Sequence, residues 1–255
     1  MRKHMKPYTI LVVLFFMAVS AFSSVEEVNV AKANKAYSAG SYEAAAGLYQ
    51  KVAEAGYYSP ELFYNLGNAC FKMNDYSKAI LWYERARRLD PGNEDINFNL
   101  NVANTKISDK IEPLPELFYK RWFNNIVYAF SIDGWAMIGI CMFVAGLLGF
   151  VLYLASRVLF LRKVGFWTGT AFVFLAFISL AFAWIGYNTT KSVNEAIVFA
   201  PTITVKSSPD EKSTDLFVLH EGTKVLLLDN ISGWYEIRIA NGSVGWLPKT
   251  SLEKI

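Results

Sequence analysis

Three regimes of hydrophobic patterning follow one another along the chain. Between Ser41 and Leu89 apolar residues return at helical spacing, from Gly134 to Tyr187 charge almost disappears, and from Ala196 short β-branched runs alternate with turn residues. The middle regime is the plainest. GWAMIGICMFVAGLLGFVLYLAS (Gly134 to Ser156) and GFWTGTAFVFLAFISLAFAWIGY (Gly165 to Tyr187) contain no charged residue. Each is long enough to carry a helix across the roughly 30 Å apolar core of a bilayer, where the backbone must satisfy its own hydrogen bonds. The alternative, a buried soluble hairpin, sits poorly with apolarity on every side. A transmembrane hairpin over 134–187 is predicted, with spans 134–156 and 165–187. Trp135, Trp167, Trp184 and Tyr187 stand near the span ends, where amphipathic rings favour the headgroup level.

The helical regime repeats itself. SYEAAAGLYQKVAEAG begins at Ser41 and DYSKAILWYERARRLDP at Asp75, 34 residues later. That spacing aligns Ala33 with Gly67, Asn34 with Asn68, Tyr37 with Phe71, Ala45 with Ala79 and Tyr49 with Tyr83. Small residues recur where paired helices cross closely, and aromatics where the next hairpin must be filled. The pattern resembles the tetratricopeptide repeat. Its second copy carries Phe63, Leu66, Gly67, Ala79, Tyr83, Ala86 and Pro91 in the family's places, and departs at Cys70, where an aromatic is usual. After Pro91-Gly92, NEDINFNLNVANTKISDKI supplies a third opening helix without a partner, expected to cap the stack. Two full repeats and a capping helix are thus expected over 25–110. The resemblance implies that the opening helices line a concave peptide-binding surface through Asn34, Tyr37, Tyr64, Asn65, Asn68, Phe71 and Lys72. Asn34 and Asn65 fall where peptide-binding members set asparagines against a ligand backbone, since an amide both donates and accepts. In the other reading these asparagines are satisfied within the stack and Tyr64 and Phe71 belong to its core. Val30 and Asn99 occupy two positions where the carboxylate-clamping subclass has basic residues, so carboxylate capture is not expected.

In the last regime, runs such as AIVF, TITV and KVLLL are separated by SSPDE, HEG, DNISG and ANGS. This predicts a compact antiparallel barrel of about five strands over 196–255. Val205 before Ser207-Ser208-Pro209, Gly222, Trp234-Tyr235, the Asn241-Gly242 turn and Gly245-Trp246-Leu247-Pro248 resemble the bacterial SH3-like domain. Some members of that fold bind peptidoglycan or peptides on an aromatic face, which makes Trp234 and Tyr235 candidate contacts. Burial in a small barrel is their other reading.

Charge adds orientation. The basic start MRKHMK and the short apolar run after it predict a signal peptide, 1–23, with an uncleaved anchor as the alternative. The connector RVLFLRKV holds Arg157, Arg162 and Lys163, which places it in the cytoplasm and both flanking segments on the opposite side. Lys120 and Arg121 fall in LFYKRWFNNIVYAF, read as an interfacial amphipathic helix within the linker 111–133. A net charge of +3, scattered rather than striped, excludes a nucleic-acid footprint. Cys70 and Cys141 read as buried thiols and His220 as a solvent-edge residue. No nucleophile–base set, metal-ligand cluster or cofactor motif emerges, so neither catalysis nor a cofactor is expected.

The order of units is that of a multidomain membrane protein: an all-α tetratricopeptide solenoid, two transmembrane helices and a small all-β SH3-like barrel. It resembles the BatE-type proteins of the Bacteroides aerotolerance (Bat) operon. That resemblance implies a non-enzymatic member of an envelope complex with von Willebrand A-domain membrane proteins and a MoxR-type ATPase, connected with aerotolerance or stress. The expectation is an inner-membrane scaffold with repeats and barrel in the periplasm, and the alternative is a peptidoglycan tether acting through the barrel.

Overall fold

A computed structural model describes residues 24–115, 117–192 and 194–255. The segment read as a signal peptide lies outside the described residues. Five helices come first: α1 (Ser24–Ser38), α2 (Tyr42–Glu54), α3 (Pro60–Lys72), α4 (Tyr76–Leu89) and α5 (Glu94–Asn104). The first four pack as two antiparallel hairpins and α5 follows alone. Short polar side chains start these helices by accepting otherwise orphaned backbone N–H groups: Ser59 from Leu62 at 3.1 Å, Asp75 from Lys78 at 3.1 Å and Asn93 from Ile96 at 3.2 Å. The recurring small residues Ala33, Ala45, Ala79 and Ala86 are wholly buried at the crossings, with Tyr49 and Tyr83 between layers.

A linker and helix α6 (Phe118–Val127) lead to the apolar hairpin α7 (Ile132–Ala155) and α8 (Leu159–Ser192). Both hairpin helices are long and apolar enough to cross a membrane. The first begins two residues before its predicted span and ends one residue within it, and the second outruns its span at both ends, because nothing in Leu159-Phe160-Leu161 stops a helix. The turn shrinks to residues 156–158, and Arg162 and Lys163 join the first turns of α8. Glycines make the seam: a Cβ at Gly149 would overlap the backbone of Gly169, and one at Gly165 the backbone around Gly149 and Tyr153. Such residues let helix backbones approach closely. Gly165 and Gly169, a GxxxG pair too common in apolar helices to carry weight from sequence alone, therefore line the seam of the hairpin itself. Cys141, expected to be buried, faces outward with Leu148 and Leu154 on the apolar exterior of α7.

Among the described residues seven antiparallel strands end the chain: β1 (Glu195–Val198), β2 (Thr202–Lys206), β3 (Asp215–His220), β4 (Lys224–Ile231), β5 (Trp234–Arg238), β6 (Val244–Pro248) and β7 (Leu252–Lys254). Their order is β3-β2-β6-β5-β4-β1-β7, a sheet that is not closed into a barrel. The count exceeds five because AIVF and TITV form separate strands, β1 and β2, on either side of Ala200-Pro201, and because β7 is added at the end, pairing with β1 (Ala196 opposite Lys254).

That edge fuses the sheet to the repeats. Ile197 of β1 is fully buried in the same cluster as Leu66, Ile80 and Tyr83, and Ile107, just past α5, packs there too. Gly222, in the β3–β4 turn with φ +87°, comes so close to Ile107 that no side chain would fit. Around this apolar contact runs a charged rim. Glu84 of α4, 5% exposed, receives Arg87 at 2.6 Å and Lys224 of β4 at 3.1 Å, and Lys224 also reaches Glu195 at 2.7 Å. Arg85 donates to the Lys254 carbonyl and Arg88 to the Ile255 carbonyl, both at 2.7 Å. A cleft of about 660 Å³ along this seam, walled by Phe63 and Trp82, is crossed by these arginines.

Asp109 closes the far side. It accepts from the Thr223 hydroxyl at 2.6 Å and the His220 backbone N–H at 2.8 Å, and pairs with His220 Nδ1 at 2.7 Å. His220, read as a solvent-edge residue, does stay partly exposed but also serves as a clasp. Burial disfavours the Asp109 carboxylate, but the hydrogen bonds from Thr223 and His220 outweigh it and hold its pKa below the ordinary carboxylate value. A depressed folded-state pKa stabilises the fold fully above about pH 4 and ceases to do so as pH falls through the lower folded value. Asp109→Asn is therefore expected to lower the urea midpoint of the detergent-solubilised chain at pH 7, by about 1–3 kcal/mol of stability. The gap from wild type should narrow as pH is lowered below about 4.

Candidate functional site

The inner face of the repeat stack holds a groove of about 310 Å³. Tyr37 from α1, Tyr64, Asn68, Phe71 and Lys72 from α3, Tyr83 from α4, and Asn99 and Val102 from α5 line it. Five of the seven residues singled out in the sequence thus meet here. Asn34 and Asn65 do not line it: Asn34 is exposed on α1 and Asn65 half-buried on α3.

A hydrogen-bond network sets the chemistry of the groove. Asn68 Oδ1 accepts from the Tyr83 hydroxyl at 2.7 Å and from Asn99 Nδ2 at 2.9 Å, and the same Asn99 nitrogen reaches the Tyr64 hydroxyl at 2.9 Å. Both acceptor positions of the Asn68 carbonyl and both Asn99 N–H groups are then engaged. Asn68 retains its amide N–H groups and Asn99 its carbonyl oxygen, one donor and one acceptor on neighbouring helices. That pair complements the C=O and N–H of an extended peptide. Burial, reinforced by the neighbouring Tyr64 and Tyr37, pushes the Tyr83 hydroxyl well above the ordinary tyrosine range, so it stays protonated and keeps donating. Lys72, exposed at the rim, adds a positive charge.

The first repeat uses the same device. Tyr49 donates to Asn34 Oδ1 at 2.5 Å, the counterpart of Tyr83 to Asn68 one repeat later. In Asn34 and Asn68, then, the amide oxygen ties the two helices of a hairpin together. Tyr83, Asn99 and Val102 are the groove residues that sequence reasoning misses, and of these Asn99 stands out in the sequence only as the absence of a base. The signal is present: Asn99 stands 34 residues after Asn65, the repeat period itself.

On the sheet, Tyr235 packs against the β core, with the ammonium groups of Lys249 and Lys254 at 5.1 and 5.2 Å from its ring centre. Trp234 begins β5 beside it, half-buried. Cys70 lies beneath the groove, and burial pushes its thiol up to about 12. It is a packing residue rather than a reactive one.

Comparison with known families agrees with this geometry for part of the chain. The tetratricopeptide repeat model matches residues 60–93, the α3–α4 hairpin and the turn after it. A search of curated proteins finds no match. The protein therefore contains a repeat of the kind that mediates protein–protein interaction, beside two apolar helices and an antiparallel sheet.

Gly67 controls the groove wall, since a Cβ there would overlap the Tyr83 ring. Gly67→Ala is expected to displace Tyr83 from Asn68 and to destabilise the chain by about 1–3 kcal/mol, the usual cost of overpacking. Thermal melts and the amide resonances of Asn68 and Asn99 in labelled protein read both effects.

Proposed function

We propose that the protein is a membrane-anchored adaptor that holds an extended segment of a partner protein in its repeat groove. The observation that carries this reading is the donor–acceptor pair left open by Asn68 and Asn99 between the aromatic rings of Tyr37, Tyr64 and Phe71. A matched tetratricopeptide repeat supports it. The adaptor is not an enzyme.

On this reading the apolar hairpin spans the bacterial inner membrane. The basic residues Arg157, Arg162 and Lys163 at its turn favour a cytoplasmic turn, with repeats and sheet together in the periplasm, and 1–23 acts as the signal peptide. The sheet is an opened relative of the SH3-like unit, recruited to cap the repeats. The order of units favours membership of an aerotolerance or stress complex, with von Willebrand A-domain membrane proteins and the MoxR-type ATPase system as partners. Peptidoglycan binding through Trp234 and Tyr235 is the less favoured role, because Tyr235 is packed on the sheet core and flanked by two lysines.

A photo-crosslinking residue at Lys72 in the full chain, expressed in membranes that contain the von Willebrand A-domain proteins, is expected to capture one of them. Asn99→Leu is expected to lower the yield about tenfold, equivalent to about 1.4 kcal/mol of binding free energy, and, by removing the hydrogen bonds to Asn68 and Tyr64, to lower stability by about 1–2 kcal/mol while the chain stays folded. Equal yields from the two proteins would remove the groove assignment.

A further inference from the structure

We infer that α6 is a bilayer-surface helix that seats the soluble unit on anionic phospholipid headgroups. The inference rests on the reading of α7 and α8 as membrane spans. Phe118 and Trp122 stand one turn apart on α6, 84% and 67% exposed, with Tyr119 beside them and exposed Leu117 immediately upstream. A second arc of the same helix is already engaged. The Phe123 ring meets Phe182 of α8 at 6.4 Å edge to face, Val127 is buried, and the Val127 carbonyl accepts the Trp135 indole N–H at 2.7 Å.

So α6 is clamped to the hairpin on one side while a large aromatic surface points away from the protein. Through Phe123, Phe182, Trp135 and Phe130 that surface continues directly into the apolar exterior of the hairpin. An occupant continuous with lipid is lipid. The composition agrees: Phe, Tyr and Trp on one face and Lys120, Arg121, Asn124 and Asn125 on the other suit the boundary between acyl chains and water. The helix contains no acid, and Lys120 and Arg121 on its polar face supply the two cations that an anionic headgroup would meet.

The test uses the full chain with Cys141→Ser, since buried Cys70 resists labelling. An environment-sensitive fluorophore is attached at Phe118→Cys, Asn125→Cys or Leu148→Cys, and the protein is reconstituted in vesicles of phosphatidylcholine with or without phosphatidylglycerol. Quenchers placed shallow or deep on the acyl chain report depth. The expected result is shallow quenching at 118, deep quenching at 148 and an aqueous signal at 125. Reversing both charges, Lys120→Glu with Arg121→Glu, should lower quenching at 118 about twofold or more in phosphatidylglycerol vesicles only. An aqueous signal at 118 with deep quenching at 148 overturns the surface-helix assignment and leaves the hairpin reading intact. Aqueous signals at both positions overturn the two together. Shallow quenching at 118 that ignores lipid charge and the reversed pair overturns the anionic specificity.

Discussion

A carboxylate in the interior of a helical stack must be neutralised, and Glu84 draws its counter-charges from two directions. Arg87 comes from its own helix, and Lys224 comes from the sheet, 140 residues later. Only with both partners gone would Glu84 be left as an unpaired charge, which costs several kcal/mol to hold out of water. The apolar side of the same contact is Ile197, a strand residue buried among helix residues. Ionic specificity and hydrophobic burial thus select one docking geometry. An open repeat edge, which ordinarily needs another repeat, is covered by a sheet edge, which ordinarily needs another strand. Each unit removes the other's liability.

This arrangement leaves the concave face of the repeats free, because the sheet lies on α4 and on the segment after α5 instead. It also ties the repeats to the hairpin. The turn between α4 and α5 approaches the start of the hairpin so closely that a Cβ at Gly92 would overlap the Tyr128 carbonyl. A partner gripped in the groove would therefore pull on a continuous body of helix, sheet and hairpin rather than on a bead at the end of a tether.

Much of this is legible in the sequence, and what is not has a physical reason. The 34-residue spacing locates the hairpins, and uninterrupted apolarity locates α7 and α8, since both signals are local periodicities. Long-range partners leave no such trace. Nothing near Glu84 announces Lys224, and nothing near His220 announces Asp109, 111 residues away. The last strand escapes for the same reason, because the three residues of β7 gain their stability from pairing with β1, more than fifty residues earlier. Cys141 reads as buried because an apolar neighbourhood in sequence looks the same whether it faces protein or lipid. Asn99 is obscured by comparison with a basic position elsewhere in the repeat family, although its place in the period matches Asn65.

The dependence of the repeats on the sheet is best measured by hydrogen exchange of the full chain, wild type against Ile197→Ala. Truncating this buried side chain should cost about 2–5 kcal/mol. If helices and sheet share one core, protection in α4 and in β4 falls together and by the same free energy. Loss of protection confined to the strands, with α3 and α4 exchanging as in the wild type, would show two independent units and contradict the account.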